Sequence, residues 1–399
     1  MKKIYVSLFV SLLALISGGC EGTYSEAPTN FPTTLKPTSP TDIPVIVSPE
    51  ISFSQLPNSI LVAVAGKDYG SLFLVNLDAG VHHKLMIPGK VGINIHGWSK
   101  DGCTLIVGTD TNHLIRIDVN GHIKEEILNI NNINFDGKII LTSISISPDE
   151  QWIAFISGTG HQEYSTYEFQ NLVTVPVYRQ NNHIYQLTDR GLVSDFSWKP
   201  DGSFIAYVDV DTSNIQQVFT SEPDGSKLKQ LTHFTLEDLK IKSLLWSPTG
   251  ERIAIAIMEE TTGVNYLVVM DANLDEKKIP VQLQLMEETI EYWWTQNDII
   301  VVKAPTTDNG LNTLASKTLS WYSGTTGEKL GELDLMLLSN QVIMLPGPLT
   351  NSGKVGFFSD HSFYIYDIFS LHIEKKFNQF ADMRYWISSP SIYQGYRCN

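Results

Sequence analysis

The chain is poor in the residues that usually carry chemistry. Its 399 residues hold three cysteines, Cys20, Cys103 and Cys398, which excludes a cysteine-rich disulfide scaffold and any paired C-x-x-C zinc or redox motif. There is no G-x-S-x-G elbow, no H-E-x-x-H and no glycine-rich phosphate cradle, so the common hydrolase, metalloprotease and nucleotide-binding signatures are missing. No segment keeps a 3.6-residue apolar period for three turns, which leaves little room for helix. Charged residues are only 18% of the chain, and 43 acids outweigh 28 bases. The net charge is −15, or −17 once Lys2 and Lys3 leave with residues 1–19. That field repels phosphate backbones, and no Lys/Arg run offsets it, so nucleic acid is not an expected partner. Long apolar runs are equally scarce. The stretch from Ile4 to Ile16 is too short to span a bilayer core of about 30 Å comfortably.

That short run follows two lysines and ends in Ser17-Gly18-Gly19-Cys20, which reads as a secretory signal over residues 1–19. Small residues directly before a cysteine resemble a bacterial lipobox, with Ser17 standing where Leu is usual. The resemblance implies cleavage before Cys20, acylation of Cys20 with palmitate-type chains, and a lipoprotein anchored to a bacterial membrane. Glu21 stands where the inner-membrane retention signal would place Asp, which favours an outer-membrane address over the outer face of the cytoplasmic membrane. Residues 20–50 are rich in Pro, Thr and Ser. Such a segment buries no core and is kept extended by its prolines, so it reads as a tether. Residues 51–399 then form one domain. With Cys20 assigned to lipid, Cys103 and Cys398 remain as an even pair in an oxidising compartment, where a disulfide is expected.

Within the domain a turn phrase recurs: Trp98-Ser99-Lys100-Asp101-Gly102, Trp198-Lys199-Pro200-Asp201-Gly202 and Trp246-Ser247-Pro248-Thr249-Gly250. Ile146-Ser147-Pro148-Asp149 and Trp294-Thr295-Gln296-Asn297-Asp298 are weaker copies. The first residues are 48, 52, 48 and 48 apart. A fixed period of this size, with a short strand before and after each copy, points to a β-propeller. Proline presets the second position of a type I turn, and Asp and Gly suit the next corners. The aromatic before the turn is expected to pack between neighbouring sheets. A hairpin follows each copy, marked by Asn, Asp or Gly at its tip, as in Asn120-Gly121 and Pro223-Asp224-Gly225. Seven such hairpins give an all-β propeller of seven four-stranded blades, with six or eight left open by the weak terminal copies.

Trp198-Lys199-Pro200-Asp201-Gly202-Ser203-Phe204-Ile205-Ala206-Tyr207 resembles the repeat W-S-P-D-G-x-x-I-A-[FY] of the TolB-like, WD40-like (PD40) propeller family. Leu187-Thr188 and Leu231-Thr232 match the family's usual outer-strand ending. The resemblance covers about residues 55–380 and implies the fold. It leaves function open, because such repeats serve envelope scaffolds, receptor-like lipoproteins and peptidase-linked propellers.

Candidate chemistry is thin. Asp209-Val210-Asp211 offers alternating acids, but the further ligands of an EF-type loop are missing. His82-His83 are consecutive strand residues and point to opposite faces. Glu259-Glu260 and Glu287-Glu288 fail as acid/base dyads for the same reason. Among the expected innermost strands Asp195 is the one carboxylate. Long connections at 157–171, 303–317, 129–138 and 232–240 are expected on one face, where binding usually sits. The expectation is therefore a non-enzymatic, monomeric, membrane-tethered propeller without cofactor or metal, binding a protein, peptide or glycan in the envelope. The alternative is a lactonase or sugar-processing propeller with a metal in its central channel. Finally, the segment 383–390 is expected to complete the first blade beside residues 59–65, the competing arrangement using Ile51-Ser52-Phe53 for that strand and leaving the tail on the surface. Closure by the tail would bring Cys398 near Cys103, in a bond worth about 4–5 kcal/mol in the chain-entropy model.

Overall fold

The computed structural model describes residues 59–65, 72–76, 81–85, 93–109, 113–129, 133, 138–159, 169–177, 183–272, 281–285, 291–295, 299–305, 316–334, 344–349, 354–359, 362–370, 372–377 and 391–396. Among them there is no helix. The described strands group into seven four-stranded antiparallel sheets, six of them simple meanders. The first holds β1 (Ser59–Ala65), β2 (Leu72–Asn76) and β3 (Val81–Leu85). The second runs β4 (Ile93–Trp98), β5 (Thr104–Thr109), β6 (His113–Asp118), β7 (Ile123–Asn129). The third runs β8 (Lys138–Ile146), β9 (Trp152–Thr159), β10 (Phe169–Pro176), β11 (Tyr185–Gln186). The fourth is β12 (Phe196–Trp198), β13 (Ile205–Val210), β14 (Gln216–Ser221), β15 (Lys229–Gln230). The fifth is β16 (Leu239–Trp246), β17 (Arg252–Glu259), β18 (Asn265–Asp271), β19 (Val281–Leu285). The sixth is β20 (Glu291–Trp294), β21 (Ile299–Pro305), β22 (Ser316–Ser323), β23 (Lys329–Asp334). The seventh is β24 (Met344–Leu349), β25 (Lys354–Ser359), β26 (Ser362–Asp367), β27 (His372–Phe377). The last strand, β28 (Ser391–Tyr396), returns to the first sheet and pairs antiparallel with β1, Leu61 opposite Tyr393. The fold is a β-propeller.

The turn phrase makes the inner hairpin of the second to fifth sheets by one repeated set of bonds. Ser99 N donates to Thr104 O at 2.8 Å and Gly102 N to Ser99 O at 2.7 Å. Lys199 N to Phe204 O, Gly202 N to Lys199 O, Ser247 N to Arg252 O and Gly250 N to Ser247 O repeat the pattern. The closing residue takes a left-handed φ, 71° at Gly102, 76° at Gly202 and 71° at Gly250, which glycine reaches without steric cost. Glu150 occupies the same position at φ 60° with a full side chain.

Packing between sheets explains why the phrase continues Ile-Ala. On β17 the residues alternate: Ile253, Ile255 and Ile257 pack with Trp246, Ala206 and Val208 towards the fourth sheet. Ala254 and Ala256 pack with Tyr292 and Trp294 towards the sixth. Ala206 likewise shares a cluster with Trp246, and Ala154 with Trp198. Each small alanine leaves the room that the next sheet's aromatic fills, as close packing of large against small requires. Trp198, Trp246 and Trp294 are accordingly buried, as expected of inter-sheet wedges.

The first and last described strands meet in the first sheet, but at a different segment from the one the sequence suggested. The pairing strand is 391–396, not 383–390, which lies outside the described residues. Ser389-Pro390 looked like a degenerate turn phrase; the paired run Ser391-Ile392-Tyr393-Gln394-Gly395-Tyr396 after it carries the β-formers instead. β28 lies against β4 on one side and β24 on the other, so the C-terminal strand is the innermost strand of the first sheet.

Candidate functional site

The innermost strands line the centre of a propeller, where a metal or substrate would be gripped. Among the described residues several of their polar groups bond to the neighbouring sheet, most at a spacing of about one repeat, while His96 Nε2, Trp246 Nε1 and Trp293 Nε1 have no hydrogen-bond partner among the described residues. His96 Nδ1 lies 3.0 Å from Ile144 O; a carbonyl only accepts, so Nδ1 carries the proton. Trp198 Nε1 donates to Ser145 O, Ser194 Oγ to Ile241 O, and Trp294 Nε1 to Leu245 O at 3.1 Å. Leu244 N donates to Asp195 Oδ2 at 2.8 Å and Trp246 N to Ser197 Oγ at 3.4 Å. Tyr292 Oη donates to Ala254 O at 3.0 Å, with Ser243 Oγ 3.5 Å away. Among the described residues these bonds tie the second to sixth sheets, each to the next, where backbone pairing is absent. Sequence reasoning passed over them because no single repeat contains both partners.

Asp195 is the chemically distinctive member. Burial pushes its carboxyl up to about 6, while N–H donation from Leu244 and Phe196 pulls the other way. Burial also holds the Tyr292 phenol up, against the Ser243 hydroxyl bond that lowers it. Burial lowers the His96 imidazole, which stays neutral, and its Nε2 has no hydrogen-bond partner among the described residues. Asp195, Ser243 and Tyr292 sit on three successive sheets; His96 is two sheets before Asp195. No group of three His, Cys, Asp or Glu side chains that could hold a metal occurs among the described residues.

The other sequence candidates resolve into turn chemistry. Asp211 accepts from Ser213 N, Ile215 N and Gln217 Nε2, so its carboxylate caps its own turn. Asp209 is buried, raised by that burial, and bonded to Val210 N. The pair does not converge on one point. His82 and His83 are neighbours in β3, opposite Val75 and Leu74. Glu259 accepts from Thr262 Oγ1 at 2.7 Å. Glu287-Glu288 lies outside the described residues, as do Cys20 and Cys398. Cys103 is disulfide-bonded.

Of the four long connections, the first two are shorter than expected, because β9 runs on to Thr159, β10 begins at Phe169, and β21 and β22 extend to Pro305 and from Ser316. The 231–238 link is fully described. It is pinned from beneath by Gln217, whose side chain bonds Thr232 Oγ1, Phe234 N and Phe234 O. Leu236 on this link and Leu192 on the preceding one are exposed.

Comparison with known proteins supports the fold and stops there. A family model described as eukaryotic translation initiation factor eIF2A matches residues 149–324, less than half the chain. No curated protein matches. Among solved structures, apo AztD from Citrobacter koseri is 8% identical, with TM-score 0.54, covering 86% of this chain and 100% of that one. An oligogalacturonate lyase in complex with manganese is 13% identical with TM-score 0.52, covering 73% and 79%. A putative TolB from Agrobacterium tumefaciens is 15% identical over 70% and 90%, at a TM-score of 0.42 that is too low to build on.

Proposed function

We propose that this protein is a membrane-tethered binding propeller of the bacterial envelope, held by a lipid on Cys20 and engaging a protein, peptide or glycan with the face that carries the inter-sheet links. The observation that carries this reading is that the chemically distinctive described inner-strand groups, Asp195 and Tyr292, are held in sheet-to-sheet bonds. A carboxylate that accepts Leu244 N–H and a tyrosine that donates to Ala254 O are committed to structure. What remains for recognition is the outer face, where rigid scaffolds usually present binding loops. Two measurements test it. Cys20→Ser releases the protein from the membrane fraction and abolishes acyl labelling; membrane retention without label contradicts the anchor. A partner captured from envelope extract is retained equally with and without chelator.

The second reading is a metal-assisted sugar-processing enzyme. It is favoured by Asp195, whose raised carboxyl suits a general base, and by the likeness to a manganese-bound oligogalacturonate lyase. A net charge of −17 after signal removal opposes a polyanionic sugar substrate unless a cation bridges them. Stoichiometric manganese in the purified protein, with activity lost in Asp195→Asn, decides for this reading.

A further inference from the structure

We infer that Cys103 and Cys398 form a disulfide that clasps the propeller ring shut at the meeting point of its two chain ends. Cys103 is disulfide-bonded, and the chain offers it two partners, Cys20 and Cys398. Topology selects between them. In the second sheet the chain leaves β4 at Trp98 and turns through Ser99–Cys103 into β5. In the first sheet no turn joins the corresponding strands, because its inner strand β28 is the last described strand and its second strand β1 the first. Tyr396, the last residue of β28, stands opposite Ser59, the first of β1. β28 and β4 are neighbouring inner strands with the same direction relative to their second strands. The chain therefore leaves β28 on the face where Cys103 sits. Two further residues reach at most about 7 Å and a disulfide adds about 4.4–6.8 Å between Cα atoms, so together they bridge a gap of up to about 13 Å from Tyr396 to Cys103.

The clasp has a mechanical purpose. In the other six sheets the inner and second strands are joined by a turn or short link; in the first they are joined by β28–β1 hydrogen bonds alone. A terminal strand held only by pairing is the element most easily stripped from a sheet. A bond from Cys398 to the turn of the second sheet replaces the missing connection with a covalent one. The Cys103 turn is prepared for this role, because Asp101 Oδ1 accepts both Ser99 Oγ and Cys103 N and fixes the backbone. Formation follows thiol–disulfide exchange. Cys103 and Cys398 thiols together lose two protons and two electrons to an incoming protein disulfide, which leaves as a dithiol. The pairing also leaves Cys20 as the one thiol available for acylation, so it is compatible with the proposed anchor without depending on it.

The test is non-reducing peptide mapping of the full-length protein purified from the envelope, followed by thermal melts with and without reductant. A cross-linked peptide joining residue 103 to residue 398 is expected, with a fall in Tm of about 5–10 °C on reduction. Cys398→Ser and Cys103→Ser should each show the lower Tm and lose the reductant response, and limited proteolysis of either should first release the C-terminal strand. A cross-link from residue 103 to residue 20, or two free thiols at 103 and 398, overturns the inference. An unchanged Tm with the bond mapped overturns the clasp role. A failure of Cys20→Ser to release the protein bears on the anchor alone.

Discussion

The fourth and fifth sheets and the first sheet solve the same problem in opposite ways. Between the fourth and fifth, neighbouring copies of one sequence pattern are joined by local chain, and their inner strands exchange bonds one repeat apart, such as Leu244 N to Asp195. Ala206 in one copy makes room for Trp246 in the next. The first sheet has no complete copy of its own. It is assembled from strands at opposite ends of the chain, β28 and β1. Repetition carries the cohesion of the ring's middle, where each contact is encoded twice, once in each neighbour. Closure is a single non-local contact of the kind that folds late, because loop entropy must be overcome before it is rewarded. The middle is redundant and the seam is not.

The sharpest way to break this comparison is to delete residues 391–399. The seam then loses its inner strand and exposes the edge of β1. The expected effect is loss of stability comparable to the ~5–15 kcal/mol of a whole domain, read as loss of the cooperative melt and as aggregation. A cooperative melt with near-native midpoint would show that the ring does not need the seam. Next comes Trp246→Ala, which removes a buried wedge and should cost about 3–5 kcal/mol in denaturant unfolding. Ala206→Leu should be destabilising too, by overpacking against the same indole.

A third experiment sharpens the electrostatic side. The Asp195 carboxyl stands at about 6 in the folded protein against about 3.9 for an unfolded aspartate. The folded state therefore holds the proton more tightly between these values, and stability should fall as pH rises from about 4 to about 6, then level off. The ceiling on the change is about 3 kcal/mol. Asp195→Asn keeps an acceptor for Leu244 N–H and should flatten that slope and match or exceed wild-type stability at pH 7. Asp195→Ala also flattens it but strands the N–H, costing about 1–3 kcal/mol. A slope that survives in Asp195→Asn would place the titrating group elsewhere.

The smallest expected effect concerns Glu150. It accepts a left-handed φ of 60°, which costs an ordinary residue about 1 kcal/mol, while its carboxylate holds Lys100 N at 2.5 Å and Arg116 Nη2 at 2.9 Å in the preceding sheet. The turns at Gly102, Gly202 and Gly250 use glycine there, and Gly202 abuts the preceding turn so closely that a Cβ would lie 2.5 Å from Asp149 Cγ. Glu150→Ala should therefore cost about 2 kcal/mol and Glu150→Gly about 1 less. Equal costs in chemical unfolding would mean that the strain is negligible and the clamp alone matters.

How much of this was legible depends on the range of the contact. Each of the seven outer hairpins lies where Asn, Asp or Gly punctuates a polar turn, and the inner turns lie where the phrase repeats, because these are settled by φ preferences within a few residues. The wedge role of Trp198 and Trp246 was legible from their position before the turn. The alanines that receive them were not, since the pair spans two repeats. Asp195 is legible by residue type, whereas its bond to Leu244, a repeat away, is not. The tail was read as the closing element but placed some eight residues early, because strand propensity sets no register.

By itself, then, the amino-acid sequence determined the repeat, the strands and turns inside each copy, and the acidic, cysteine-poor surface. These follow from local backbone preference and from composition, which need no partner. Only the tertiary structure decided which strand closes the ring, which inner polar groups are spent holding sheet to sheet, and that Glu150 bridges to Lys100 and Arg116. Each of those depends on residues about 34 or more positions apart being brought together, and distance along the chain carries no local signal for such a pair.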